Sequence, residues 1–168
     1  PFTTLPYICI APASVWYTKQ YPAEKWVSFI NKVPESLQVF LIGGPADYQL
    51  GDKIIQGVNN KQRVKNMCGQ FSLLESAALQ HHAVMNYVND SAPMHFASAM
   101  NAPVTAVYCS TIPSFGFGPL SDQSHIVEVL ENLSCRPCGL HGKSACPLGH
   151  FHCAHHIQDE QLLATLPS

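Results

Sequence analysis

The feature that most constrains this chain is a repeated alternation. Short apolar runs of four to six residues are followed by longer stretches with apolar residues at helical spacing. A run buried on both faces has no period-2 alternation, and a helix packed on a sheet shows one apolar stripe. Tyr7 to Ala11 reads as the first buried strand. Trp26, Phe29, Ile30 and Val33 then form a helical stripe, with Pro22 where a first turn tolerates proline and Pro34 closing the element. Val39 to Ile42 predicts a second strand ending at Gly43-Gly44, followed by a helix from Asp47 to Val58. Val64 to Met67 predicts a third strand. Ser72, with Glu75 three residues on, predicts a capping box on a helix carrying Leu73, Leu74, Ala77, Ala78 and Leu79. Ala83 to Val88 and Pro103 to Tyr108 predict two more strands around a helix from Pro93 to Met100. Ile126 to Leu130 reads as a sixth, weaker strand. A loop covers 109–122, residues 134–156 are irregular and rich in Cys and His, and 157–166 predicts a closing helix.

Strand alternating with helix implies an α/β fold, a Rossmann-like parallel sheet with helices on both faces. The 168 residues suit one such domain, 1–168, and no linker divides it. Charged residues make up 12%, against about 25% in an average domain. That fits either a well-packed α/β core or a surface that faces a second domain or a membrane. The net charge of -2 carries no electrostatic footprint for nucleic acid. No apolar run approaches the ~18 residues of a membrane span. No signal peptide is visible, and there is no initiator Met, which fits an excised or processed product. Seven cysteines without a secretory signal favour reduced thiols in a cytosolic setting.

In open parallel sheets, ligands bind outside the carboxyl ends of the strands, so the turns after each strand are where chemistry is sought. After the fourth strand comes Asn89-Asp90-Ser91-Ala92-Pro93-Met94-His95. Small and capping residues opening a helix there offer backbone N–H groups and a favourable dipole to an anion such as a diphosphate. The plain alternative is that Asp90 and Ser91 only cap the helix, and that His95 is a packed structural residue. After the first strand, 11–22 is a small-residue turn with a single cation, Lys19, suited to a phosphate or simply solvated. Neither a P-loop nor a GxGxxG fingerprint is present. After the second strand, Asp47 is placed to bond ribose hydroxyls or to cap a helix. Cys135, Cys138, Cys146 and Cys153 lie close together among five histidines, opening with a CxxC knuckle. Zinc takes four such ligands, but structural zinc sites usually pair two tight knuckles and the later spacings here are loose, so disulfides and free thiols compete with zinc.

Taken in order, these segments resemble a known family. Ala11-Pro12-Ala13-Ser14 with Lys19, Pro22 and Trp26; Leu41-Ile42-Gly43-Gly44 with Asp47; Gly69 through Glu75; Asn89 through His95; Tyr108 through Pro113; and Leu133 through His150 together span nearly the whole chain. The chain resembles the carboxyl-terminal half of ADP-heptose:lipopolysaccharide heptosyltransferases, glycosyltransferase family 9, nearest the heptosyltransferase II type. The resemblance implies a GT-B enzyme of two Rossmann-like domains, with the amino-terminal acceptor domain absent here. It implies an inverting, metal-independent transfer of heptose from ADP-heptose to the lipopolysaccharide inner core, at the cytoplasmic face of the bacterial inner membrane. The implied partners are the chain's own amino-terminal acceptor domain, ADP-heptose and a lipid-linked lipopolysaccharide core acceptor. No cofactor is implied, and the fragment alone is expected to be inactive.

By the same resemblance the candidate catalytic residues are Lys19, on the leaving phosphate, and Asp90, on sugar hydroxyls. The candidate substrate-binding residues are Ser14 on phosphate, Asp47 on ribose, Phe71 and Ser72 beside adenine, Ser91, Ala92 and Pro93 along the diphosphate, and His95 on the same helical turn. Pro93 has no N–H to donate. The resemblance does not require zinc on Cys135, Cys138, Cys146 and Cys153. Three other readings stay open: a stand-alone nucleotide-sugar binder without catalysis, a family member using another nucleotide sugar, and a zinc-stabilised interaction domain.

Overall fold

The computed structural model describes residues 3–167. Six strands form one parallel sheet: β1 (Tyr7–Ala11), β2 (Gln38–Leu41), β3 (Val64–Asn66), β4 (Met85–Asn89), β5 (Val104–Tyr108) and β6 (Ser124–Glu128). Their order is β3-β2-β1-β4-β5-β6. The chain therefore winds outward from β1 to β3, returns to the middle and winds out the other way. Between β1 and β4 the winding reverses, which opens a crevice at their carboxyl ends.

The helices are α1 (Ala23–Lys32), α2 (Tyr48–Gly57), α3 (Leu73–His81), α4 (Ala92–Ala99), α5 (His152–His155) and α6 (Asp159–Leu163). Both sheet faces are covered. Ile8 and Ile10 point into a cluster with Trp26, Phe29, Ile54 and Leu162, while Tyr7, Cys9 and Ala11 point into the other with Leu79, Met94 and Ala97. Side chains alternate across a strand, so each central strand serves two cores and must be apolar at every position. That is why β1 reads as an unbroken apolar run. The α/β fold with helices on both faces is as predicted.

The main departures lie late in the chain. β6 begins at Ser124, two residues before the predicted start, and ends at Glu128. Its pairing opposite Val104 and Thr105 recruits Ser124 and His125, which a single-sided edge strand tolerates and an apolar-run reading misses. The closing helix is only Asp159–Leu163. Beyond it, the Thr165 hydroxyl donates to the carbonyl of Leu162 at 2.7 Å and meets Thr105 at 2.8 Å, fastening the turn to β5. The irregular segment contains the four-residue α5, whose Cys153 and Ala154 are buried. No helix among the described residues is long and apolar enough to cross a membrane.

Buried Arg63 was not anticipated. It donates to the carbonyls of Ile30 and Val33 at the end of α1 and of Pro34 and Leu37 in the turn that follows, so one guanidinium ties the helix end to the approach to β2.

Candidate nucleotide site

A cavity of about 600 Å³ opens at the carboxyl ends of β1, β2 and β4. It is lined from the β1 turn by Ser14 and Val15, from the β2 turn by Gly43 to Asp47, from the start of α3 by Phe71 and Ser72, and from the start of α4 by Ser91, Ala92 and Pro93. Small-molecule sites typically enclose roughly 300–1,000 Å³. A larger groove of about 870 Å³ runs along α3 beside the amino ends of β1 and β4, lined by Leu5, Tyr7, Leu79 and Val84. It is on the wrong side of the sheet for a switch-point ligand.

The start of α4 carries no side-chain cap, and it is where the sequence's anion-site expectation lies. Ser91 is the N-cap residue, yet no side chain caps the helix. The Ser91 hydroxyl donates instead to the carbonyl of Asn89 at 3.3 Å. Asp90 does not cap either. Its carboxylate lies 2.6 Å from Lys19 Nζ and accepts a 2.8 Å bond from the Thr111 hydroxyl. Simple capping therefore accounts for neither residue. Lys19 is not a solvated surface cation: its side chain is 13% exposed, held against Asp90 at the switch point.

Asp47 also departs from plain helix capping. It is the N-cap residue of α2 without making a side-chain cap bond. Its Oδ2 accepts from the Gly44 N–H at 2.8 Å, folding the carboxylate back over the loop. A Cβ at Gly43 would lie 2.6 Å from that oxygen, so the glycine is needed for this arrangement. Ser72 forms the predicted capping box: Glu75 accepts from the Ser72 N–H at 2.8 Å and the Glu75 N–H donates to the Ser72 hydroxyl at 3.3 Å. These bonds hold the Glu75 carboxyl below its ordinary range, with the Ser72 hydroxyl the larger cause. His95 is exposed on α4 and does not line the cavity. Ser14, Asp47, Phe71, Ser72, Ser91, Ala92 and Pro93 come together around the cavity, while Lys19 and Asp90 pair with each other and are not among its lining residues.

Three residues that build the site carried no assignment in the sequence. Asn89, fully buried at the end of β4, accepts from the Tyr21 N–H at 2.9 Å and donates to the Pro12 carbonyl at 2.9 Å. It clamps both ends of the loop that carries Ser14 and Lys19. Thr18, beside Lys19, accepts from the Ser110 hydroxyl at 2.9 Å and from the Lys143 N–H at 2.8 Å. Arg136 donates to the carbonyls of Cys109 at 2.7 Å and Thr111 at 2.8 Å and pairs with Glu128 at 2.6 Å. An Asn closing an apolar strand is a polar group that must find partners once buried, and that was a usable signal. Thr18 and Arg136 gave none, because most of their partners are distant in sequence and several are backbone atoms.

The cysteine-rich segment packs against the turn that carries Lys19 and supplies no lining residue to the cavity of about 600 Å³. Gly142 sits so close that a Cβ there would meet Lys19 and Trp16 at 3.0 Å. Cys135, Cys138 and Cys146 line a cavity of about 250 Å³. Cys153 is buried, and all seven cysteines are free. Burial, then the neighbouring thiols, pushes Cys138 up, and burial first pushes Cys153 up to about 12. Among the described residues no group of three or more His, Cys, Asp or Glu is arranged to hold a metal ion.

Comparison with known proteins agrees with this architecture. The family model described as glycosyltransferase family 9 (heptosyltransferase) matches residues 2–148. Lipopolysaccharide heptosyltransferase 2 of Escherichia coli is 28% identical over 65% of this chain and 33% of its own length. The protein of the same name from Salmonella typhimurium is 31% identical over 71% of this chain and 33% of its own. The solved structure of E. coli ADP-heptose lps heptosyltransferase II superposes with a TM-score of 0.69 at 25% identity, covering 96% of this chain and 46% of that one. The chain spans about a third of the length of these curated relatives, and its fold matches the carboxyl-terminal half of the two-domain GT-B architecture. This chain belongs to glycosyltransferase family 9, the heptosyltransferase family.

Proposed function

We propose that the chain is the donor-binding half of an inverting glycosyltransferase that moves heptose from ADP-heptose to the lipopolysaccharide inner core. The observation that carries the reading is the Lys19–Asp90 pair, 2.6 Å apart, beside the uncapped start of α4. A buried cation and free helix N–H groups at one point suit a diphosphate. As the glycosidic bond breaks, negative charge grows on ADP. On this reading Lys19, turning from Asp90 toward the phosphate, and the backbone at Ser91 and Ala92 stabilise that charge. Asp90 then faces the sugar hydroxyls, Asp47 the ribose, and Phe71 flanks the adenine.

The same reading gives the catalytic base and the acceptor site to an amino-terminal domain, with the lipid-linked core presented at the cytoplasmic face of the inner membrane. Alone, the donor half binds nucleotide and transfers nothing. It requires no cofactor, and the cysteines of 134–156 serve as packed thiols in the segment beside the Lys19 turn. The test is turnover of the two-domain protein with Lys19→Ala. Losing one preorganised charge partner of the leaving group lowers kcat by on the order of a hundredfold, with the unfolding midpoint nearly unchanged. Turnover equal to the parent protein's contradicts the role.

A further inference from the structure

The Lys19–Asp90 pair poses a physical problem. Lys19 must turn toward a phosphate to bind it, and Asp90 is only 7% exposed. A buried carboxylate left without donors is costly. A second donor is already in place. Thr111, 1% exposed in the loop after β5, donates its hydroxyl to Asp90 Oδ2 at 2.8 Å, the same oxygen that meets Lys19. Thr111 is itself fixed, because its carbonyl accepts from Arg136 at 2.8 Å. Arg136 is anchored in turn to the Cys109 carbonyl and to Glu128.

We propose that Thr111 is a positioning residue that keeps Asp90 satisfied when Lys19 is drawn to the diphosphate, and that Arg136 holds Thr111 in place for this task. The inference rests on the donor-binding reading above. It gives the cysteine-rich segment a part in the site, since Arg136 lies between Cys135 and Cys138. In the free protein Asp90 holds two donors. When nucleotide binds, Lys19 shifts toward phosphate and the Thr111 hydroxyl remains. Without that hydroxyl, Asp90 competes with the phosphate for Lys19, and the nucleotide binds more weakly.

The experiment is calorimetric titration with ADP of the parent protein, Thr111→Val, Thr111→Ser, Lys19→Ala and the Lys19→Ala/Thr111→Val double variant. Valine keeps the shape and removes the hydroxyl, and serine restores it. Thr111→Val is expected to weaken ADP binding about tenfold, the value of one charge-assisted hydrogen bond, and Thr111→Ser to bind like the parent. In the Lys19→Ala background the valine substitution is expected to change little, because no competition for Lys19 remains. A merely structural role for Thr111 would instead give additive losses. Additive losses, serine as weak as valine, or valine equal to the parent overturns the inference while leaving the donor reading standing. A parent protein that does not bind ADP overturns both.

Discussion

The sheet body and the cysteine-rich segment are held by different physics. In the body, Phe29, Ile10 and Leu41 are fully buried, and Phe29 packs on Tyr87 with ring centroids 4.6 Å apart. In the segment, Leu140 and Leu148 are 58% and 62% exposed, and the chain is fastened by Arg136 and the Thr18–Lys143 contacts. The body takes its stability from apolar area; residues 134–149 lean on a few polar bonds to backbone, while Phe151, Cys153 and Ala154 anchor the segment's end in the apolar core. Damage to the body should unfold the protein, and damage to the segment should loosen the site while the body stands.

Phe29→Ala should have the largest effect on stability. Removing a buried phenyl ring costs about 3–5 kcal/mol, read as a lower urea midpoint for the whole domain. Arg136→Ala comes next and sharpens the contrast. It strips donors from two buried carbonyls and a partner from Glu128, at about 1–3 kcal/mol. Hydrogen exchange should rise in residues 109–111 and 134–146, with the β1 and β4 amides still protected. Equal loss of protection in β1 would break the comparison.

The smallest effect is at the start of α3. Ser72→Ala removes a cap worth about 1 kcal/mol. That contribution also depends on pH. The Glu75 carboxyl is depressed in the folded protein, chiefly by the Ser72 hydroxyl. Its contribution is thus full above the unfolded-state pKa and fades as pH falls through the folded value. Unfolding midpoints of the parent protein and Glu75→Gln should converge in acid and separate toward neutral pH. A constant gap across that range would show that the capping box contributes no titrating bond.

Legibility in the sequence follows the same division. The strands and main helices were readable because burial on two sheet faces writes itself as apolar runs and stripes, as in Tyr7 to Ala11. The capping box at Ser72 was readable because its partner is three residues away. The cavity lining was readable as turns after strands, and Asp90 and Lys19 as candidates in two of them. Their mutual pairing was not, because 71 residues separate them and only the parallel order of β1 and β4 brings them together. Arg136 passed as a spacer in a cysteine knuckle for the same reason: its acceptors are carbonyls of Cys109 and Thr111, and a backbone atom leaves no mark in composition. The Cys and His content of 134–156 drew attention to metal, while the bonds that seat the segment run through Arg136, Thr18 and Lys143.

The most direct test of the central claim is calorimetric titration of this domain with ADP and, in parallel, UDP. Saturable binding of ADP with no heat from UDP is the predicted result, because the proposed reading joins a diphosphate at the α4 start to a base beside Phe71, and one cavity is lined by both. Equal binding of the two would place recognition in the phosphates alone. No binding of ADP at millimolar concentration would contradict the assignment of Lys19, Asp90 and the α4 start as a donor site.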